Sequence, residues 1–119
     1  MHIAANVMVA LVALLHFYFL ILEMFLWDKP RGRRVFGTTQ EFATASKALA
    51  ANQGLYNGFL VAGLIWGLLL GDAGVPVQLF FLGCVIVAGA FGALTVNRKI
   101  LFVQAVPAAI AMGLVLGSS

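Results

Sequence analysis

Four apolar runs divide the chain, and each is closed by a short polar or charged break. The first extends from about Ile3 to Trp27 and stops at Asp28-Lys29-Pro30-Arg31-Gly32-Arg33-Arg34, where charge, proline and glycine predict a loop rather than more membrane helix. Thr38 followed three residues later by Glu41 has the spacing of a capping box, so a second helix is predicted from about Thr39 to Leu70. Its opening, Glu41 to Lys47, is polar enough to stand outside the hydrocarbon, which leaves Ala51 to Leu70 as the apolar part. Gly71-Asp72-Ala73-Gly74-Val75-Pro76 then reverses the chain. The third run, Val77 to Val96, ends at Asn97-Arg98-Lys99, and the fourth covers Ile100 to Leu116.

Runs of about 20 apolar residues match the thickness of a bilayer at about 1.5 Å rise per residue. The pattern therefore predicts an all-α fold, an integral membrane four-helix bundle, with residues 1–119 as a single transmembrane domain. Alternating polarity of the kind a barrel strand needs is missing. Composition agrees: 63% of residues are apolar and 9% charged, too few charges to build a water-facing surface. Met1-His2-Ile3 leads straight into the first run without the basic region and small-residue cleavage site of a secretory signal, so the first helix is expected to be retained.

The net charge of +3 changes the picture only through its placement. Lys29, Arg31, Arg33, Arg34 and Lys47 fall between the first and second runs, and Arg98 and Lys99 between the third and fourth. All seven cations on one side predict that side as cytoplasmic, with both termini and Asp72 on the non-cytoplasmic side. Such clustering beside apolar runs is an orientation signal and excludes a nucleic-acid footprint, which needs cations spread along one exposed face. The alternative for the basic loop is the binding of anionic lipid head groups, and orientation is the favoured reading. Trp27 and Phe36 fit an aromatic belt at the interface. Cys84 is the single cysteine, so neither an intrachain disulfide nor a cysteine zinc site is available. His2 and His16 lie at different depths, and no metal is expected.

Polar residues inside the runs carry the candidate chemistry. His16 and Glu23, seven apart, share one helical face; Glu23 lies roughly 7 Å from the boundary at Asp28 and His16 roughly 18 Å, by helix rise. Asn52, Gln53, Tyr56 and Asn57 make two adjacent polar stripes on the second helix. Arg98 closes the third, and Gln104 sits about one turn into the fourth, ahead of Pro107, whose missing donor leaves the Val103 carbonyl free. His16 lies close to the midplane, and the other seven fall in the cytoplasmic half. The functional reading is a polar cavity open to the cytoplasm and lined by His16, Glu23, Asn52, Gln53, Tyr56, Asn57, Arg98 and Gln104. The alternative is interhelical glue, in which amides bond across helices and Glu23 pairs with Arg98 or reaches the interface. An ionisable pair on one buried face is costly and replaceable by apolar residues, which favours function for His16 and Glu23.

Gly54 and Gly58, Gly63 and Gly67, Gly67 and Gly71, Ala88 and Gly92, and Gly89 and Ala93 are each spaced four apart, which lets helix backbones approach closely. Packing within one chain is the first use of such faces. A homo-oligomer is the second, since four thin helices leave little room for an enclosed site.

Leu15-His16, Glu23-Met24, Trp27, Pro30-Arg31-Gly32, Phe36-Gly37, Ala51-Asn52-Gln53-Gly54-Leu55-Tyr56-Asn57-Gly58-Phe59, Asn97-Arg98-Lys99 and Gln104 to Pro107 resemble a family of small bacterial membrane proteins catalogued as domain of unknown function 1304. The resemblance covers essentially the whole chain and implies a bacterial inner-membrane location. In placement, Asn52, Asn57 and Arg98 are also similar to polar positions of the membrane-associated eicosanoid and glutathione metabolism enzymes, four-helix homotrimers that bind glutathione between subunits. That likeness implies a glutathione-type transferase or isomerase, although Ala48 to Ala51 and Tyr56 stand where that group carries arginine and glutamate. No phosphate loop, dinucleotide fingerprint, nucleophile elbow or metalloprotease motif is present, so the sequence names neither reaction nor cofactor. Three expectations remain: a homo-oligomer in the lipid bilayer with a cavity for a small polar or amphipathic ligand, a proton-coupled small-molecule transporter, and the glutathione-type enzyme.

Overall fold

A computed structural model of the chain describes residues 2–95 and 98–118. Among these the structure is all helical: α1 (His2–Met24), α2 (Pro30–Phe36), α3 (Gln40–Leu69), a 3₁₀ turn (Gly71–Gly74), α4 (Val75–Thr95), a π turn (Leu101–Ala105) and α5 (Val106–Ser118). The expected boundary at Val96 and Asn97 lies outside the described residues.

The structure corrects the expected boundaries at three places. The first helix ends at Met24, before Trp27, and residues 30–36, read as loop, form a helix of their own. Proline is no obstacle there: Pro30 stands in the first turn, where its missing N–H would have no intrahelical partner. Gly37, at φ 65°, then closes α2 in the left-handed region with its N–H on the Arg33 carbonyl. The cap of α3 is shifted by one residue. The Phe42 N–H donates to Thr39 Oγ1 at 3.1 Å, so Thr39 rather than Thr38 is the cap, and the Thr38 hydroxyl is buried with no partner among the described residues. The third correction is the start of the last helix, where Leu101–Ala105 widen into a π turn just before Pro107. Proline cannot donate to the Val103 carbonyl, and a widened turn is one way the ladder absorbs that gap.

Two compact units are present, residues 1–14 with 62–119, and residues 15–61. In the first, α4 packs on the π turn and α5. Small residues permit this: a Cβ on Gly89 would meet Ala105 backbone and side chain at 2.9 Å. Gly63 faces the Phe81 ring, and a Cβ on Gly74 would strike the Gly67 carbonyl, so the 3₁₀ turn is folded tightly onto the end of α3. In the second unit, Gly54 and Gly58 of α3 seat Leu20, Glu23 and Met24 of α1. The paired glycines at these positions thus serve packing within the chain.

Among the described residues, Val9, Val12, Leu22, Leu64, Leu82, Val85 and Val115 are buried beside Ala5, Ala13, Ala43, Ala50, Ala105, Ala108 and Ala111, together with His16, Glu23, Asn57 and Gln78. Ile3, Leu69 and Leu94 are 78%, 81% and 87% exposed, and Phe59, Phe80, Phe91 and Phe102 are exposed too. Two segments, His2–Met24 and Gly71–Thr95, are long and apolar enough to span a membrane, and Phe102–Ser118 is a shorter apolar helix.

Candidate functional site

Glu23 lies one residue before the end of α1, where the chain leaves the helix through the turn that leads to α2. It is only 4% exposed. Asn57, on α3 and 7% exposed, donates from Nδ2 to Glu23 Oε1 at 2.5 Å. The Gln53 amide, one turn earlier on the same face, also approaches this carboxylate. The approach depends on Gly54, where a side chain would press on Glu23 Cβ, Met24 Cγ and the Leu20 carbonyl. Helix spacing, a glycine seat and two amides therefore build one acceptor site inside a single unit.

His16, two turns before Glu23 on α1, is fully buried and meets the Phe19 ring edge-on at 5.6 Å between centroids. Asn52 and Tyr56 are exposed, with Tyr56 tilted against Phe59. Of the eight residues singled out by sequence, the structure thus brings Glu23, Gln53 and Asn57 together. Asn52 and Tyr56 flank them along α3. Arg98 and Gln104 belong to the other unit, where Arg98 is exposed and Gln104 is half-buried and partnered.

Beyond Glu23 the same unit holds a braced loop. The Trp27 indole N–H donates to Ser46 Oγ at 3.0 Å, and the Ser46 hydroxyl donates to the Phe42 carbonyl at 2.7 Å. Trp27 also stacks against Phe36 at 4.9 Å, so both expected belt aromatics bind the loop itself together. Arg31 donates to the Tyr18 hydroxyl at 3.2 Å. Lys47 pairs with Asp28 at 3.2 Å, and that contact is the main reason the Asp28 carboxyl titrates below its ordinary value. A Cβ on Gly32 would collide with the Leu26 carbonyl, which fixes α2 against the preceding turn.

The first unit carries polar residues that sequence reasoning left out of the site. His2, Asn6, Asp72, Gln78 and Ser118 line a pocket of about 60 Å³ with Ala5, Gly71, Val75 and Val115. Gln78 is buried and donates to the Gly67 carbonyl at 3.2 Å. A lone glutamine in an otherwise apolar run was the available signal. Among the described residues no group of three or more His, Cys, Asp or Glu is placed to hold a metal ion.

Comparison with known proteins places this geometry in context. The family model described as "Protein of unknown function (DUF1304)" matches residues 10–116. An uncharacterized protein of Lactococcus lactis, YpaA, is 34% identical over 106 residues, which cover 87% of this chain and 89% of that protein. No solved structure matches the chain.

Proposed function

We propose, for a chain that belongs to the DUF1304 family of proteins of unknown function, an integral membrane protein whose cytoplasmic half binds a small polar or amphipathic ligand at Glu23. The observation that carries this reading is the buried Glu23–Asn57 hydrogen bond at the end of an apolar helix. A carboxylate that only held two helices together is readily replaced by apolar packing, and ionisable groups at membrane depth commonly mark a ligand or proton site. Glu23 accepts hydrogen bonds when ionised, so the complementary ligand group is an ammonium or another strong donor. Gln53 and Asn57 orient the carboxylate, while exposed Asn52 and Tyr56 line the approach along α3.

The membrane part of the reading is supported by the exposed Leu and Phe faces and by the two apolar helices of spanning length. In this reading α1, the apolar part of α3, α4 and the segment from the π turn through α5 each cross the bilayer. The cation-bearing connections are then cytoplasmic, and both termini lie outside. Copies of the chain assemble through the remaining exposed faces.

Two measurements test the reading. Carbonate washing should leave the protein in the membrane pellet; release to the supernatant would end the membrane assignment. Native mass spectrometry from mild detergent should show a multimer with a discrete retained mass that Glu23→Gln reduces at least tenfold. Retention unchanged in that variant would remove Glu23 from the site.

A further inference from the structure

The basic segment between α1 and α3 is folded and braced, and its charge is not balanced from within. Residues 28–47 carry Lys29, Arg31, Arg33, Arg34 and Lys47 against Asp28 and Glu41. Asp28 is taken by Lys47 and Arg31 by the Tyr18 hydroxyl. Lys29 and Arg34 are exposed; Lys29 adds a minor electrostatic pull on Asp28, and neither side chain makes a hydrogen bond or ion pair among the described residues. Arg33 Nε and Thr38 Oγ1 are buried with no hydrogen-bond partner among the described residues.

An orientation signal alone needs only charge in a loop. Here the charge sits on a helix that is held by a glycine seat on the Leu26 carbonyl, a left-handed glycine cap and the Trp27–Ser46 bond. Exposed Val35 and Phe36 stand at the end of the same helix, 44% and 37% accessible. Cations and apolar groups side by side on one fixed element match an anionic head group above and acyl chain below.

We infer that α2 with Lys29 is a docking site for the phosphate of an anionic phospholipid, taken by Lys29, Arg33 and Arg34 while Val35 and Phe36 rest on its acyl chains. The lipid source, rather than free phosphate, follows from those apolar neighbours. The inference rests on the membrane reading but not on the Glu23 site. Arginine suits this role because its planar fork meets phosphate oxygens in pairs.

The test is native mass spectrometry of the full chain in neutral detergent, titrated with phosphatidylglycerol, phosphatidylcholine or inorganic phosphate. Phosphatidylglycerol should bind in preference to phosphatidylcholine, and Lys29→Gln with Arg34→Gln should weaken it by roughly fivefold per cation removed. Arg98→Gln with Lys99→Gln removes the same net charge elsewhere and should leave it within about twofold. Arg33→Lys, which keeps the charge without the Nε–H and the fork, should give an intermediate loss and guards against variants that fail to fold. Equal binding of both lipids, or equal loss in the Arg98 and Lys99 variant, would overturn the inference. Competition by inorganic phosphate at the same concentration as phosphatidylglycerol would overturn the lipid source. If carbonate washing keeps the protein in the pellet while the lipids bind alike, only this inference falls; release from the pellet removes the membrane reading itself.

Discussion

The Glu23–Asn57 bond can be weighed by a double-mutant cycle with Glu23→Ala, Asn57→Ala and the pair. Hydrogen bonds to charged groups contribute about 1.5–3 kcal/mol in water-soluble proteins, whereas polar contacts between membrane helices average about 0.6 and reach about 1.7 kcal/mol. At 2.5 Å and with both residues below a tenth exposed, this contact belongs near the upper membrane figure. A coupling of about 1.5 kcal/mol is therefore expected. Asn57→Ala alone should cost about 2 kcal/mol, because the buried carboxylate also loses a donor. Glu23→Ala keeps the Cβ that faces Gly54, so the helix seat itself is spared. Glu23→Gln retains an acceptor oxygen for Asn57 and should cost less than Glu23→Ala. The assay is reversible unfolding in mixed micelles, titrated with a denaturing detergent and followed by tryptophan fluorescence. A coupling below about 0.5 kcal/mol, the scatter seen for independent sites, would refute the reasoning.

The glycines give a matched set for thermal stability in detergent. Gly74→Ala should destabilise by roughly 1–3 kcal/mol because its Cβ meets the immovable Gly67 carbonyl, while Gly113→Ala, with nothing within 4 Å, should be neutral or stabilising by up to about 1 kcal/mol. Equal effects at both sites would contradict the described packing. Asp28 supplies a pH dependence. Its folded value is lowered from 3.8, chiefly by the Lys47 hydrogen bond, so its contribution is present above 3.8 and lost as pH falls through the folded value. Lys47→Met should flatten that acid limb of the melting profile, and an unchanged limb would assign it to another group. In a Cys84→Ser background, cysteine at Ser118 should react with an impermeant thiol reagent from the non-cytoplasmic side only. Labelling from the cytoplasmic face alone would reverse the topology.

Helix existence was legible because each long apolar run ends at glycine, proline or clustered charge, and α3 ends within one residue of the expected Leu70. What escaped was local and geometric. The helix at Pro30–Phe36 hides in a segment whose proline, glycine and four cations all argue for loop, and only Pro30 in the first turn and Gly37 just after the end mark it. Thr38 and Thr39 are chemically equivalent as caps, so only backbone geometry chooses Thr39. At the site, the seven-residue interval from His16 to Glu23 and the four-residue interval from Gln53 to Asn57 made two faces readable. Which carboxylate met which amide depended on Gly54 bringing α1 and α3 close, and a glycine repeat does not say what it packs against.

The Gln78–Gly67 contact turns the connection between α3 and α4 into a ruler. The donor and the acceptor are eleven residues apart, and Gly74 fits beneath the same carbonyl. One residue inserted between 71 and 76 would turn α4 by about 100° relative to α3 and carry Gln78 away from Gly67. This turn must preserve its length and its two constrained glycines, Gly71 in the left-handed region and Gly74 beneath the Gly67 carbonyl. Related chains should therefore vary at Asp72, Ala73 and Val75, yet keep the count from this glycine to this glutamine unchanged.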